Sequence, residues 1–413
     1  MSSISKISVK LNLQGQVYDV GSLVLDDTKR IYFKYNGDFL GKGLNLSPIV
    51  LDFNDKISTP STHIFDSLYG VFADSLPDGW GRLLMDRYFQ HHQRQLSDIT
   101  PLDRLSLIGR YGMGALEYFP ESYDHLNTID NLDIDHLYAE TMHVLEDVST
   151  EDKIDILYQL GGSSGGARPK VLINFNFETR IISDSFEGNI GSKPCIIKFP
   201  SSSDLPDIAN IEYAYYVMAV AAGIEMSKSD LVMGSKGREF FVTQRFDRNE
   251  TGKLHMHSAA GLLHDNFRYS TMDYGHLMDT AYQLEKSVLA YEKILRIAYF
   301  NLVTNNRDDH SKNFSFLMDG FGKWCVAPAY DLTYSTTSHG YHSTSYDGES
   351  KNPSVAHIKS LAKLFKVNTI DSIIDQVNES VNNWSIIAKN TGVSNSSVAM
   401  IANYIDHSLK QSI

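Results

Sequence analysis

The chain has 413 residues, 42% hydrophobic and 21% charged, the usage of a globular protein with more than one lobe. That composition excludes a disordered tail protein, a collagen and a coiled-coil rod, and no apolar run approaches the roughly 18 residues that cross a bilayer. The formal net charge of -13 repels a phosphate backbone, so direct nucleic-acid binding would need a local basic patch that the sequence does not advertise.

The first residues alternate, with Ile7, Val9, Leu11 and Leu13 on one face of a strand. A secretory leader needs a continuous apolar core instead, so the expected location is cytoplasmic. Ile31, Phe33 and Tyr35 mark another strand, and Tyr35-Asn36-Gly37-Asp38 reads as a turn. Phe72 to Gly81 reads as a loop entering a helix that carries Leu83, Leu84 and Tyr88. The acidic stretch from Asp124 to Glu151 contains no Gly or Pro and is expected to be a helical connector to a second unit.

That unit opens with Gly161-Gly162-Ser163-Ser164-Gly165-Gly166-Ala167-Arg168-Pro169-Lys170, a glycine-rich loop feeding a strand with Val171, Ile173, Phe175 and Phe177. Cys195 to Pro200 forms a further strand, with Lys198 on the face of Ile196. Asn210 to Ala222 is helical with Glu212 in its first turn, and Phe240 to Phe246 reads as a strand. Thereafter helices dominate, and Ile294, Ile297, Ala298 and Leu302 mark one that runs out at Asn305-Asn306. A strand-rich lobe followed by a helical lobe is an α+β arrangement with a cleft between.

The sharpest chemical signal is Asn306-Arg307-Asp308-Asp309-His310-Ser311-Lys312-Asn313, followed by Ala329-Tyr330-Asp331. Phe314 and Phe316 alternate after it, Asp319-Gly320 supplies hairpin-turn chemistry, and Trp324 and Val326 alternate back. Such a hairpin brings Asn313 and Asp331 together at its open end, with Asp308 on the loop before it. Hard oxygen donors in that number suit Mg²⁺ together with nucleotide phosphates. Phosphoryl transfer needs metal ligands, a carboxylate to orient the attacking hydroxyl and a cation on the phosphates. Lys198 can be that cation, with Glu212 as its partner. The glycine-rich loop lets backbone N–H groups approach phosphates, although Pro169 and the place of Lys170 exclude a Walker A loop.

Several neighbours carry plainer expectations. Asp309 reads as a solvated or loop-capping residue, His310 as a brace for the loop, and Lys312 as either a surface lysine or a contact to the transferred group. His255, His257, His339 and His342 read as scattered surface or loop histidines, since no cysteine joins them in a zinc pattern. Cys195 and Cys325 lie in apolar runs and read as buried thiols.

The spaced motifs Ser163-x-x-Gly166-Ala167, Ile197-Lys198-Phe199-Pro200, Arg245-Phe246-Asp247-Arg248, Asn306-x-Asp308-x-His310-x-Lys312-Asn313 and Tyr330-Asp331 resemble the HipA family of serine/threonine kinase toxins. Leu76-Pro77-Asp78-Gly79 and Gly109 to Leu116 resemble that family's N-terminal subdomain. The resemblance runs in order from about Gly21 to Ser335. It implies a two-lobed, protein-kinase-like fold with an N-terminal mixed α/β subdomain and a helical C-terminal lobe. The expected boundaries are 1–120 for the subdomain, 121–250 for the kinase N-lobe and 251–413 for the C-lobe.

It further implies ATP and Mg²⁺ as cofactors, Asp308 as catalytic base, Asn313 and Asp331 as metal ligands, and Lys198 on the phosphates. Gln244-Arg245-Phe246 would be the hinge beside adenine, with Gln244 replacing the family's usual Glu. Ser163, Ser164, Gly165, Gly166 and Lys312 would line the nucleotide site, and Ser163 would be autophosphorylated, with Ser164 as the alternative. The implied partners are a HipB-like helix-turn-helix antitoxin, which alone would carry contact to DNA, and a protein substrate such as an aminoacyl-tRNA synthetase. A small-molecule or lipid kinase, a non-catalytic scaffold and a metal-dependent hydrolase built on Asp308, Asp309 and His310 are the rival readings.

Overall fold

The computed structural model describes residues 4–123, 132–146, 148, 151–184, 191–337 and 339–410. Most of the first stretch of the expected connector, residues 124–131, lies outside them, as do 147, 149 and 150.

The chain opens with an antiparallel sheet ordered β3-β2-β1-β4, from β1 (Lys6–Leu13), β2 (Gln16–Leu25), β3 (Ile31–Tyr35) and β4 (Leu116–Phe119). Ile7, Val9, Leu11 and Leu13 are all buried, as their alternation requires. The expected turn after Tyr35 is instead the start of a short helix, α1 (Gly37–Leu40). Burial decides this: Phe39 packs under the sheet, stacked on Tyr35 with centroids 5.9 Å apart. Between β3 and β4 lie α2 (Gly70–Ala73), α3 (Gly79–His91) and α4 (Pro101–Ile108). The last is closed by a reciprocal capping box between Thr100 and Asp103.

Helices α5 (Ile134–Leu145) and α6 (Glu151–Gly161) lead into a five-stranded antiparallel sheet ordered β6-β5-β7-β9-β8. Its strands are β5 (Lys170–Phe175), β6 (Ile182–Asp184), β7 (Lys193–Lys198), β8 (Ser229–Met233) and β9 (Glu239–Gln244), with α7 (Ile208–Ala221) inserted after β7. A small ribbon, β10 (Arg248–Asn249) with β11 (Gly252–Lys253), passes the chain to a three-stranded sheet of β12 (His255–Ser258), β13 (Ser315–Met318) and β14 (Trp324–Val326). Helices α8 (Ala259–Leu263), α9 (Tyr274–Glu285), α10 (Leu289–Val303), α11 (Val355–Leu364), α12 (Ile370–Asn382), α13 (Trp384–Asn390) and α14 (Asn395–Lys410) complete the helical lobe. The architecture is α+β with two lobes. Among the described residues no helix is long and apolar enough to cross a membrane.

Two apolar cores organise these parts. One joins the first sheet (Ile7, Val9, Phe33) to the helical lobe (Tyr215, Ile294, Tyr299, Trp384). The other joins α3 and α6 (Trp80, Leu84, Leu157) to the five-stranded sheet (Val171, Ile197, Val242). The N-terminal 120 residues are thus packed on both lobes at once and span the cleft between them. Four of the expected histidine and cysteine placements change. His255, His257 and His342 are buried, not surface residues, because each ring has a hydrogen-bond partner inside. Cys195 is buried and its thiol is pushed up to about 12 by burial, whereas Cys325 is only partly covered.

Candidate active site

The hairpin forms as its alternation predicts, with Phe316 opposite Val326 and Met318 opposite Trp324. Its tip uses Asp319, whose carboxylate accepts from Phe321 N and Lys323 N, and Gly322, which takes the left-handed conformation at φ 77°. At the open end, Asn313 and Asp331 both line one cavity of about 470 Å³ between the lobes. That cavity also gathers Ser163, Ser164, Gly165, Gly166, Lys198, Glu212, Gln244, Arg245, Phe246, Asp308 and Lys312. Every expected site residue therefore reaches one space.

Lys198 is the electrostatic centre of its floor. Its Nζ bonds Glu212 from α7 and Asp331 from the loop after β14. Burial works against its charge, but the two carboxylates prevail and hold it above the ordinary lysine range. Burial likewise pushes Asp331 up, yet Lys198 and then Lys170 hold it well below the carboxylate range. Asp331 sits at φ 53°, a left-handed backbone that turns it back into the cavity.

Asp308 stands opposite on a loop bolted at several points. Ser335 Oγ accepts from Arg307 N at 2.9 Å and from Asp308 N at 3.0 Å, and itself donates to Asn306 Oδ1 at 2.9 Å. Asn313 Nδ2 donates to the Asp308 carbonyl at 2.7 Å. The Asp308 side chain stays 64% exposed. Desolvation in the cleft raises its carboxyl, Asp331 and Asp309 add to this, and His310 opposes it. His310 Nε2 lies 3.8 Å from Asp308 Oδ1, while its Nδ1 is buried without a hydrogen-bond partner among the described residues.

Of the two expected roles of the neighbouring Asp309, solvated or loop-capping, the structure shows the second. It is buried and points away from the cavity. Its carboxylate accepts from Tyr274 OH at 2.9 Å, Ser343 N at 2.8 Å and Thr344 N at 3.2 Å, and pairs with His342 Nδ1 at 3.0 Å. It is an internal post for the loop, which removes the hydrolase built on Asp308, Asp309 and His310 as one site. Among the described residues no cluster of three His, Cys, Asp or Glu side chains is placed to hold a metal.

The sequence matches the description "HipA-like C-terminal domain" over residues 162–384 and "HipA N-terminal domain" over residues 11–119. The chain belongs to the HipA family. HipA of Shewanella oneidensis MR-1, solved with HipB and operator DNA, superposes with a TM-score of 0.69 over 98% of this chain and 96% of that one, at 17% identity. At that identity the likeness establishes the fold, a two-lobed kinase-like one. A Sinorhizobium fredii protein named as a kinase, Y4mE, is 28% identical over 275 residues, 61% of this chain and 63% of its own length. A Haemophilus influenzae protein also named as a kinase is 28% identical over 189 residues, 42% of this chain and 53% of its own. The chain thus spans between half and two thirds of the curated relatives it matches.

In this HipA-family chain three expected site residues have side chains committed elsewhere. Arg245 is buried and bonds Asp247 at 2.8 and 2.9 Å. Asp247 in turn accepts from Arg248 at 2.8 Å and Gly114 N at 2.6 Å. The Arg-Phe-Asp-Arg motif is therefore a bolt that fastens the chain after β9 to the Gly109–Leu116 motif. Ser164 is buried and donates to Gly161 O at 2.6 Å, leaving Ser163 the more open serine. Lys312 pairs with Asp78 at 2.9 Å and lies 4.8 Å above the Phe267 ring. Phe246 packs on Tyr330, with ring centroids 5.2 Å apart.

Sequence reasoning passed over Lys170 as a site residue. Its register places it opposite Lys198, two like charges side by side on β5 and β7. Burial lowers it to about 8, against the pull of Asp331, and its Nζ donates to Gly165 O at 2.5 Å. Only its position directly after the glycine-rich loop signalled it. Asp78 and Ser335 were likewise given no role, Asp78 because it lies far from the cluster in sequence and Ser335 because a lone serine just past Asp331 carries no pattern.

Proposed function

We propose that this protein is an ATP- and Mg²⁺-dependent serine/threonine protein kinase and the toxin of a cytoplasmic toxin–antitoxin module. The observation that carries this reading is Lys198 bridging Glu212 and Asp331 across a cavity whose facing loop presents the open carboxylate of Asp308. A scaffold without catalysis has no use for three charges clustered at one cavity, Glu212 buried and Lys198 and Asp331 half-buried.

The donor set fits a magnesium nucleotide. Lys198 occupies Oδ1 of Asp331, which leaves that carboxylate's second oxygen, and Asn313 lines the same space. Two protein ligands, phosphate oxygens and waters are what Mg²⁺ accepts. When bound, the metal nucleotide supplies the phosphoryl group and neutralises part of its charge. Lys198 and Lys170 place cations on the phosphates, and the glycine-rich loop covers them with backbone N–H groups. Asp308 would accept the hydrogen bond of the incoming hydroxyl and take its proton, while the transferred phosphorus exchanges its bond to the departing nucleoside diphosphate for one to that hydroxyl oxygen. Its raised carboxyl makes it a better base than a free aspartate. At the hinge, Gln244 N and Arg245 N are already used by Lys228 O and Pro194 O, so adenine must be met by other backbone groups of that stretch. Replacing the family's Glu by Gln244 therefore leaves this contact intact.

Partner and substrate follow from family membership. A HipB-like helix-turn-helix antitoxin would carry the DNA contact that a net charge of -13 makes unfavourable here. The substrate is a protein hydroxyl, with an aminoacyl-tRNA synthetase as the family's model target. Ser163, less enclosed than Ser164, is the autophosphorylation site. The test is incubation of wild type and Asp308→Asn with γ-labelled ATP and cell lysate. Label should enter protein, including the peptide carrying Ser163, with wild type alone. Label found only in small molecules or lipid, or equal labelling by both proteins, refutes the reading.

A further inference from the structure

The Leu76-Pro77-Asp78-Gly79 motif belongs to the N-terminal subdomain, far in sequence from the phosphoryl-transfer set, and the chemistry above gives it no task. Its aspartate nevertheless stands inside the cavity. Asp78 Oδ1 accepts the N–H of Gly166 in the glycine-rich loop, and Asp78 Oδ2 accepts Lys312 Nζ at 2.9 Å. One carboxylate thus holds the loop that covers the cavity and a lysine of the opposite lobe.

The backbone around Asp78 is shaped for that contact. Gly79 takes φ 44°, and a Cβ there would lie 2.5 Å from Ala167 Cα. A Cβ on Gly81 would lie 2.4 Å from Ser164 O. Real side chains do not approach backbone so closely, so both positions need glycine for the loop to dock on the start of α3. Trp80 N donates to Gly166 O at 3.1 Å, and Trp80 Nε1 donates to Lys170 O at 3.0 Å. From the other side Lys170 Nζ takes Gly165 O. A glycine-rich loop is costly to immobilise, and here it is held at successive residues by groups of opposite charge.

We infer that Asp78 is a positioning residue for the nucleotide, a clasp from the N-terminal subdomain that keeps the glycine-rich loop closed over the phosphates and aims Lys312 into the cavity. The isolated kinase lobes would lack it. The inference rests on the proposed nucleotide site for its effect on binding, but its hold on the loop does not depend on that reading.

The test uses the full chain, with hydrogen exchange of the loop peptide spanning residues 161–168 and ATP kinetics measured side by side. Without nucleotide, Asp78→Ala should speed exchange in that peptide by about tenfold, the loss expected for one charge-assisted hydrogen bond. KM for ATP should rise by about the same factor, with kcat changing less. Asp78→Asn keeps an oxygen for Gly166 N–H but no charge for Lys312. It should restore the loop's protection while KM stays raised, and it serves if the alanine variant does not fold. Unchanged loop exchange in Asp78→Ala overturns the clasp. So does faster exchange with KM and kcat both unaltered, which is the signature of a merely structural contact. If wild type binds no ATP, the proposed function falls, and the loop exchange alone then decides for or against the clasp.

Discussion

Replacing Lys198 by methionine tests the centre of the site through stability as well as chemistry. The change removes what is, among the described residues, the only hydrogen-bonded cation of Glu212, whose side chain is 5% exposed, and one partner of Asp331, which is 35% exposed. Breaking a buried pair by removing one partner costs about 3–5 kcal/mol. The partly open Asp331 keeps the attraction of Lys170, so the stranded glutamate dominates.

The deficit should therefore be about 3–5 kcal/mol at pH 7. At about 2 °C per kcal/mol for a chain of this size, Tm falls by roughly 6–10 °C. Wild type should show no pH slope near neutrality from Lys198 or Asp331. The raised Lys198 loses its contribution only as pH rises past its unfolded value of about 10.4, and the depressed Asp331 only as pH falls below about 3.9. Adding Glu212→Gln to the methionine variant should recover most of the melting temperature and none of the ATP binding. The assay is thermal melting from pH 5 to 8 with and without MgATP. A single variant melting within about 1 °C of wild type at pH 7, or a double variant no more stable than the single one, refutes the reasoning.

Three further expectations separate structural from chemical aspartates. Asp308→Asn should lose labelling by a factor of about 100 or more with an unchanged melt, because its side chain is exposed. Next to it, Asp309→Ala should lower Tm by about 6 °C or more, since Tyr274, His342 and two backbone N–H groups lose a buried acceptor. Asp247→Ala strands Arg245 and Arg248 and should cost about 3–5 kcal/mol. Asp247 is held low despite burial, chiefly by those two arginines, so this deficit should stay flat from pH 5 to 8 and fade only below about pH 4. Equal melts for the Asp308 and Asp309 variants, or a steep slope near neutrality for Asp247→Ala, contradict the assigned contacts.

Local pattern carried a large share of the architecture. Alternation at Ile7 to Leu13 and at Phe314 to Val326 marks strands whatever they pair with, because period two and burial of one face are properties of the segment itself. The order of spaced motifs made the family legible, and with it the contents of the cavity. The adjacency of Asp308 and Asp309 was legible, but not their opposite directions. A loop between helix and hairpin has no period, and Tyr274 and His342, which claim Asp309, come from distant segments.

By itself, then, the sequence determined the elements, the two-lobed class and the set of charged groups available for chemistry. Only the tertiary structure decided which of them face each other. Cross-strand register put Lys170 beside Lys198. Docking of α3 on the five-stranded sheet brought Asp78 into the cavity. Burial joined Arg245, Asp247 and Arg248 of the Arg-Phe-Asp-Arg motif into an ionic bolt. Each of these depends on which distant surfaces exclude water together, and no local spacing encodes that.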